Sequence, residues 1–138
     1  MPGGSGTRTG TGQELMIESL LEFNHYDYKK QVFIGKQLFN NRYKADFVVD
    51  NSIIVSLKWQ QVAGTAEQKV IYEIASLIKI IENDNFKKAY VVIGGNGFSQ
   101  NAKEYLFSQE HRNILKHGDL VENIGVEDFI ARLNNHNL

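Results

Sequence analysis

The sequence predicts a single α/β domain in which helices cover both faces of a mixed central sheet. Three observations lead there. Two apolar runs, Phe47-Val48-Val49 and Ile53-Ile54-Val55, flank Asp50-Asn51-Ser52, whose side chains bond their own backbone and tolerate left-handed geometry, the signature of a hairpin. A long amphipathic stretch follows, and then the apolar run Lys88 to Ile93, the spacing of a strand, crossover helix and parallel strand. Finally, 138 residues at 42% hydrophobic content suit one core of ordinary size.

The opening MPGGSGTRTGTG is rich in Gly, Ser and Thr and has no apolar centre, so residues 1–12 are expected to be a leader or flexible linker and residues 13–138 the domain. Residues 13–24 read as a first helix with Leu15, Met16, Leu20 and Phe23 inward and Glu14, Glu18 and Glu22 largely outward. Residues 29–39 have strand composition interrupted by Gly35, and Asn40 to Tyr43 form a turn. Thr65 with Gln68 has the form of a capping box, opening a helix whose apolar face is Val70, Ile71, Ile74, Leu77, Ile78 and Ile81. Glu67 falls on that face and Glu73 beside it. Gly94-Gly95-Asn96-Gly97 has no following Lys-Ser or Lys-Thr and no GxGxxG pattern, so it is read as a flexible turn and not a phosphate loop. Ser99 caps a helix from Gln100 to about Phe107, with His111, Arg112, Lys116 and His117 beyond it. Residues 119–125 make a last strand and 126–133 a closing helix.

The register of the central hairpin decides which side chains meet. With Asp50 to Ser52 as the loop, Val49 opposes Ile53, Phe47 opposes Val55 and Asp46 opposes Ser56. One face is then Phe47, Val49, Ile53, Val55 and Leu57, all apolar. The other carries Asp46, Val48, Ile54, Ser56 and Lys58, which brings a carboxylate and an ammonium together at the open end. Trp59 is expected to pack as core against the long helix.

Asp46, nine intervening residues and then Ser56-Leu57-Lys58 resemble the PD-(D/E)XK nuclease motif. Ala45 stands where the family often has Pro, and Ser56 where it usually has an acid. Some family members, including restriction enzymes that cut sites with a CCGG core, have Ser-x-Lys here and take the missing carboxylate from the following helix. The resemblance covers nearly all of residues 13–133. It implies a restriction-endonuclease-like α/β/α sandwich and a metal-dependent DNA endonuclease. Asp46, Glu67 and the backbone carbonyl of Leu57 would hold Mg2+, with Mn2+ able to substitute, and Glu73 is the reserve acid. Lys58 would contact the scissile phosphate or orient water, Ser56 would hold a water beside the metal, and Gln60 would contact phosphate. Either Glu18 or Glu22 of the first helix is a candidate for a second metal position. Hard oxygen donors suit magnesium. No cysteine or paired-histidine spacing points to zinc.

Charge adds to this expectation. The chain has formal net charge −1, yet Lys29, Lys30, Lys36, Arg42, Lys44 and Lys58 face only Asp46 and Asp50 between positions 29 and 58. Such a patch suits the phosphates of double-stranded DNA, with Lys29, Lys30, Lys36, Arg42 and Lys44 as contacts. Cutting both strands would favour a homodimer. A structure-selective repair or junction nuclease is the alternative enzyme, and a DNA-binding module without catalysis is the alternative outside enzymes. The absence of cysteine and of any membrane-length apolar stretch leads to a cytoplasmic, intracellular expectation.

Overall fold

The computed structural model describes residues 5–60 and 66–138, with side chains for 12–60 and 69–138. The elements are α1 (Ser5–Phe23), β1 (Tyr28–Lys36), β2 (Arg42–Val49), β3 (Ile53–Trp59), α2 (Ala66–Asp84), β4 (Lys88–Gly94), α3 (Gln100–Phe107), α4 (His111–Ile114), β5 (Val121–Gly125) and α5 (Val126–Asn134). The strands form one sheet in the order β1-β2-β3-β4-β5. The pairs β1/β2 and β2/β3 are antiparallel; β3/β4 and β4/β5 are parallel. This is the α/β/α sandwich with a mixed sheet that the sequence predicts.

Helix α1 begins at Ser5, so part of the expected leader carries helical backbone. Extending a helix that already exists adds a hydrogen bond for each residue fixed, and this carries Gly and Thr that would not nucleate one.

Each face of the sheet buries its own core. On one side α2 packs Val70, Ile74, Leu77 and Ile81 against Ala45, Val48, Ile54, Val91 and Ile93. On the other, Ile17 and Leu21 of α1 and Phe129 and Leu133 of α5 cover Phe47, Val49, Ile53, Val55, Tyr90 and Val92. The hairpin register is as read from the sequence, with Val49 opposite Ile53 and Phe47 opposite Val55, and Leu57 packs on the second face.

Two features depart from simple alternation. The β2/β3 ladder stops at Phe47 and Val55, so Asp46 and Ser56 are not a cross-strand pair. At the same point β2 changes faces: Phe47 and Val49 belong to the α1 side, whereas Ala45 and Tyr43, of the same parity, belong to the α2 side. The cause lies in β1, where Gln31 adopts a left-handed φ of 53° and drops out of the pairing between Lys30–Phe47 and Val32–Ala45. A left-handed residue cannot continue the pleat, and the two strands turn over together.

Trp59 lies on the face opposite α2, contrary to expectation, because it continues the Val55, Leu57 row. Its ring lies against Gly94, where a Cβ would come within 2.3 Å of Trp59 Cε3. Gly95, at φ +89°, sits as closely on the Gln60 backbone, so the glycine turn is a packed joint.

Candidate active site

The site forms where β2 and β3 part. Leu57 has lost its backbone partner on β2, and its N–H donates instead to Asp46 Oδ2 at 2.7 Å. In an extended strand the N–H and C=O of one residue face the same edge, so the Leu57 carbonyl also looks toward Asp46. The changeover at Gln31 makes this possible, since it releases Asp46 from its place in the ladder. Gln31 Nε2 donates to Glu14 Oε2 at 2.7 Å and reaches Asp46 Oδ1 at 3.4 Å.

On the next strand Ser56 and Lys58 point to the α2 side, and there they meet Glu73. Lys58 Nζ is 2.5 Å from Glu73 Oε1. Tyr43 OH donates to Glu73 Oε2 at 2.9 Å, and the Ser56 hydroxyl, fully buried, donates to the same oxygen. Glu73 is therefore an acid of α2 that reaches Ser56 and Lys58, where the sequence placed it beside the apolar face. Ile71 is 36% exposed while Val70, Ile74, Leu77 and Ile80 are buried, so the inward face of α2 is rotated toward the Val70, Glu73, Leu77 row. Glu67, the ligand preferred on sequence, lies outside the described side chains, as does the capping box of Thr65 and Gln68.

Electrostatics set these acids apart. Burial pushes the Asp46 carboxyl up, and the nearby charges of Glu73 and Glu14 add to it; the Leu57 N–H and the Lys58 ammonium pull the other way. Tyr43 is pushed well up, first by burial and then by the Glu73 charge, so it remains a phenol able to donate. Two carboxylates therefore share one ammonium at a partly desolvated seam.

The remaining predicted residues fall elsewhere. Glu18 accepts from Lys30 at 2.9 Å and from Tyr28 at 2.8 Å, and Glu22 accepts from Tyr28. Among the acids of α1 it is Glu14, a turn earlier, that Gln31 links toward Asp46. Gln60 is buried, and its amide donates to the Gly97 carbonyl at 2.9 Å, which leaves it tied into the glycine joint. Lys29, Lys36, Arg42 and Lys44 are exposed, and Lys30 is paired with Glu18. His111 is buried with Nε2 2.7 Å from the Val121 carbonyl, and His117 lies 3.0 Å from Glu82, so both serve packing around β5 and α2. Gln31, Glu14 and Tyr43 were not singled out as site residues from the sequence. Only Glu14 carried a signal, its spacing one turn from Glu18.

Among the described residues no three acids or histidines cluster as a ready metal cage. The donor set nevertheless fits magnesium, which takes one or two carboxylates and keeps waters. Among the described residues Asp46 Oδ1 has only the long contact to Gln31, Glu73 Oε1 accepts from a single donor, and two carboxylates outnumber the one lysine. No described helix is long and apolar enough to cross a membrane.

Comparison with known proteins bears on the family and the fold. No curated protein is significantly similar in sequence. The crystal structure of a protein of unknown function, AF1548, matches with a TM-score of 0.50 at 17% identity, over 82% of this chain and 56% of that one. That likeness is one of fold, and this chain spans little more than half of that protein. The model of the PD-(D/E)XK nuclease superfamily domain matches residues 5–137, almost the whole sequence. The chain belongs to the PD-(D/E)XK nuclease superfamily.

Proposed function

We propose that this domain is a metal-dependent DNA endonuclease of the restriction type, with Asp46, Glu73 and Lys58 at its centre. The observation that carries this reading is Glu73: an acid delivered by α2 to the serine standing where the family usually has an acid, and bound there by Ser56, Tyr43 and Lys58. A borrowed carboxylate restores the pair of acids that the strand motif alone lacks.

Asp46 and Glu73, with the Leu57 carbonyl, would hold Mg2+, and Mn2+ would substitute. When bound, the ion supplies charge to the phosphate oxygens and acidifies a water. The protein's own groups do the positioning. The Leu57 N–H fixes one oxygen of Asp46 and leaves the other with the long contact to Gln31. Tyr43 and Ser56 fix one oxygen of Glu73, and Lys58, about one-third exposed, is free to turn from Glu73 to a phosphate oxygen of the substrate. Exposed Lys29, Lys36, Arg42 and Lys44 would bind double-stranded DNA along its backbone, and a homodimer would place two such sites on the two strands.

Incubation with plasmid DNA and Mg2+ or Mn2+ tests the reading. Discrete fragments are expected from the unaltered protein, none in EDTA, and a loss of about a hundredfold or more in Lys58→Ala and Glu73→Gln. Cleavage that persists in both variants, or binding without any cleavage in either metal, would sink it.

A further inference from the structure

The β1–β2 hairpin extends beyond β3. Its strands pair as far as Lys36 and Arg42, whereas β3 leaves β2 after Phe47. One face of this arm packs on α2 through Val32, Ile34 and Tyr43. Its tip is pinned there by the Leu38 N–H on Ser76 Oγ and by Lys79 on the Gln37 carbonyl. The arm is thus rigid, and its other face is open.

That open face carries Phe33, Lys36, Arg42 and Lys44, all exposed. Phe33 is directly opposite Lys44, and Lys36 directly opposite Arg42. Like charges facing each other across an antiparallel pair are destabilising. Among the described residues none of the three cations has a carboxylate within ion-pair distance, although the whole chain is slightly acidic. Phe33 stands in their midst with its side 48% exposed, the Arg42 guanidinium 3.8 Å from the ring centroid and the Lys44 ammonium 5.5 Å from it. Phe33 belongs to neither buried core, and a duplex backbone would be served by the cations alone.

We propose that this face binds an unpaired segment of DNA, one base stacking on Phe33 while Lys36, Arg42 and Lys44 track its phosphates. A positively charged track with an aromatic platform is how sequence-tolerant single-strand binding is built. Lys44 is two residues from Asp46, about 7 Å along the strand, so the segment would lie next to the seam that holds Asp46. The inference rests on the nuclease reading for its choice of DNA, and it adds a contact to that reading: a duplex engaged at the seam would have one strand unpaired at the cleavage point, which a splayed end supplies in advance.

Binding is measured by fluorescence anisotropy at one fixed salt concentration in EDTA, with labelled oligothymidylate, a splayed duplex and a blunt duplex. The unaltered protein is expected to prefer the first two. Phe33→Ala is expected to weaken those two by about tenfold and the blunt duplex by less than about twofold, while Phe33→Tyr keeps the preference. A Phe33→Ala variant that binds all three DNAs as the unaltered protein does, or weakens on all three equally, overturns the inference. The same DNAs with Mg2+ separate the two readings. Preference without cleavage sinks the nuclease and leaves the platform standing, whereas cleavage by a protein whose Phe33→Ala variant is unchanged sinks the platform alone.

Discussion

Asp46, unfavourable for the fold, is the residue on which the proposed site depends. Burial raises its pKa above its ordinary value of 3.8, with Leu57 and Lys58 pulling it back only in part. A carboxyl with a raised native pKa contributes its stability fully below the unfolded value, and that contribution is lost as pH rises through the native value. At neutral pH the charge is therefore borne at a cost. Asp46→Asn keeps an oxygen for the Leu57 N–H and removes the charge, so its melting temperature without metal should equal or exceed that of the unaltered protein, by about 4 °C for each kcal/mol recovered. The same change should abolish metal-dependent cleavage. Calorimetry and a plasmid assay on one preparation check both, and a lower melting temperature would contradict the electrostatic account.

At the scale of elements, the rotation of α2 brings Glu73 to Ser56 and Lys58. Ile74 is fully buried beneath the helix, whereas Ile71, three residues earlier, is 36% exposed. Ile74→Ala should cost about 2–5 kcal/mol in denaturant unfolding and Ile71→Ala under about 1 kcal/mol. Equal costs would place Ile71 inside and turn Glu73 away from Lys58. The amphipathic stretch made α2 readable, and of its expected inward positions all but Ile71 are buried, but the finer angle that brings Glu73 inward was not. A helix advances 100° per residue, the apolar positions span a broad arc, and packing against the sheet selects the angle within it. The face of Trp59 was legible by the same period-two rule that placed Leu57, since both are odd-numbered positions of β3.

Across the whole molecule, the proposed site would set proton and metal in competition for one partly buried seam. Because burial raises the Asp46 pKa above its ordinary value, the Mg2+ concentration needed for half-maximal cleavage should rise as pH falls toward and through that raised pKa, beginning at a higher pH than an exposed aspartate would show. Magnesium titrations at several pH values, at constant ionic strength, measure this. A requirement independent of pH through the acid limb would exclude Asp46 as a ligand.

The hydrophobic alternation and the turn residues determined by themselves the element order, the three-residue hairpin loop, the pairing of Phe47 with Val55, and the presence of an aspartate and a lysine beside one seam. Those are local properties: a slip of one residue would turn an entire apolar row to the wrong face. Only the tertiary structure decided that Gln31 turns β1 and β2 over at Asp46, that Asp46 bonds Leu57 in place of facing Ser56, and that Glu73 arrives from α2. Glutamine is not a residue that announces left-handed backbone, and the angle of a helix on a sheet depends on side chains far apart in sequence.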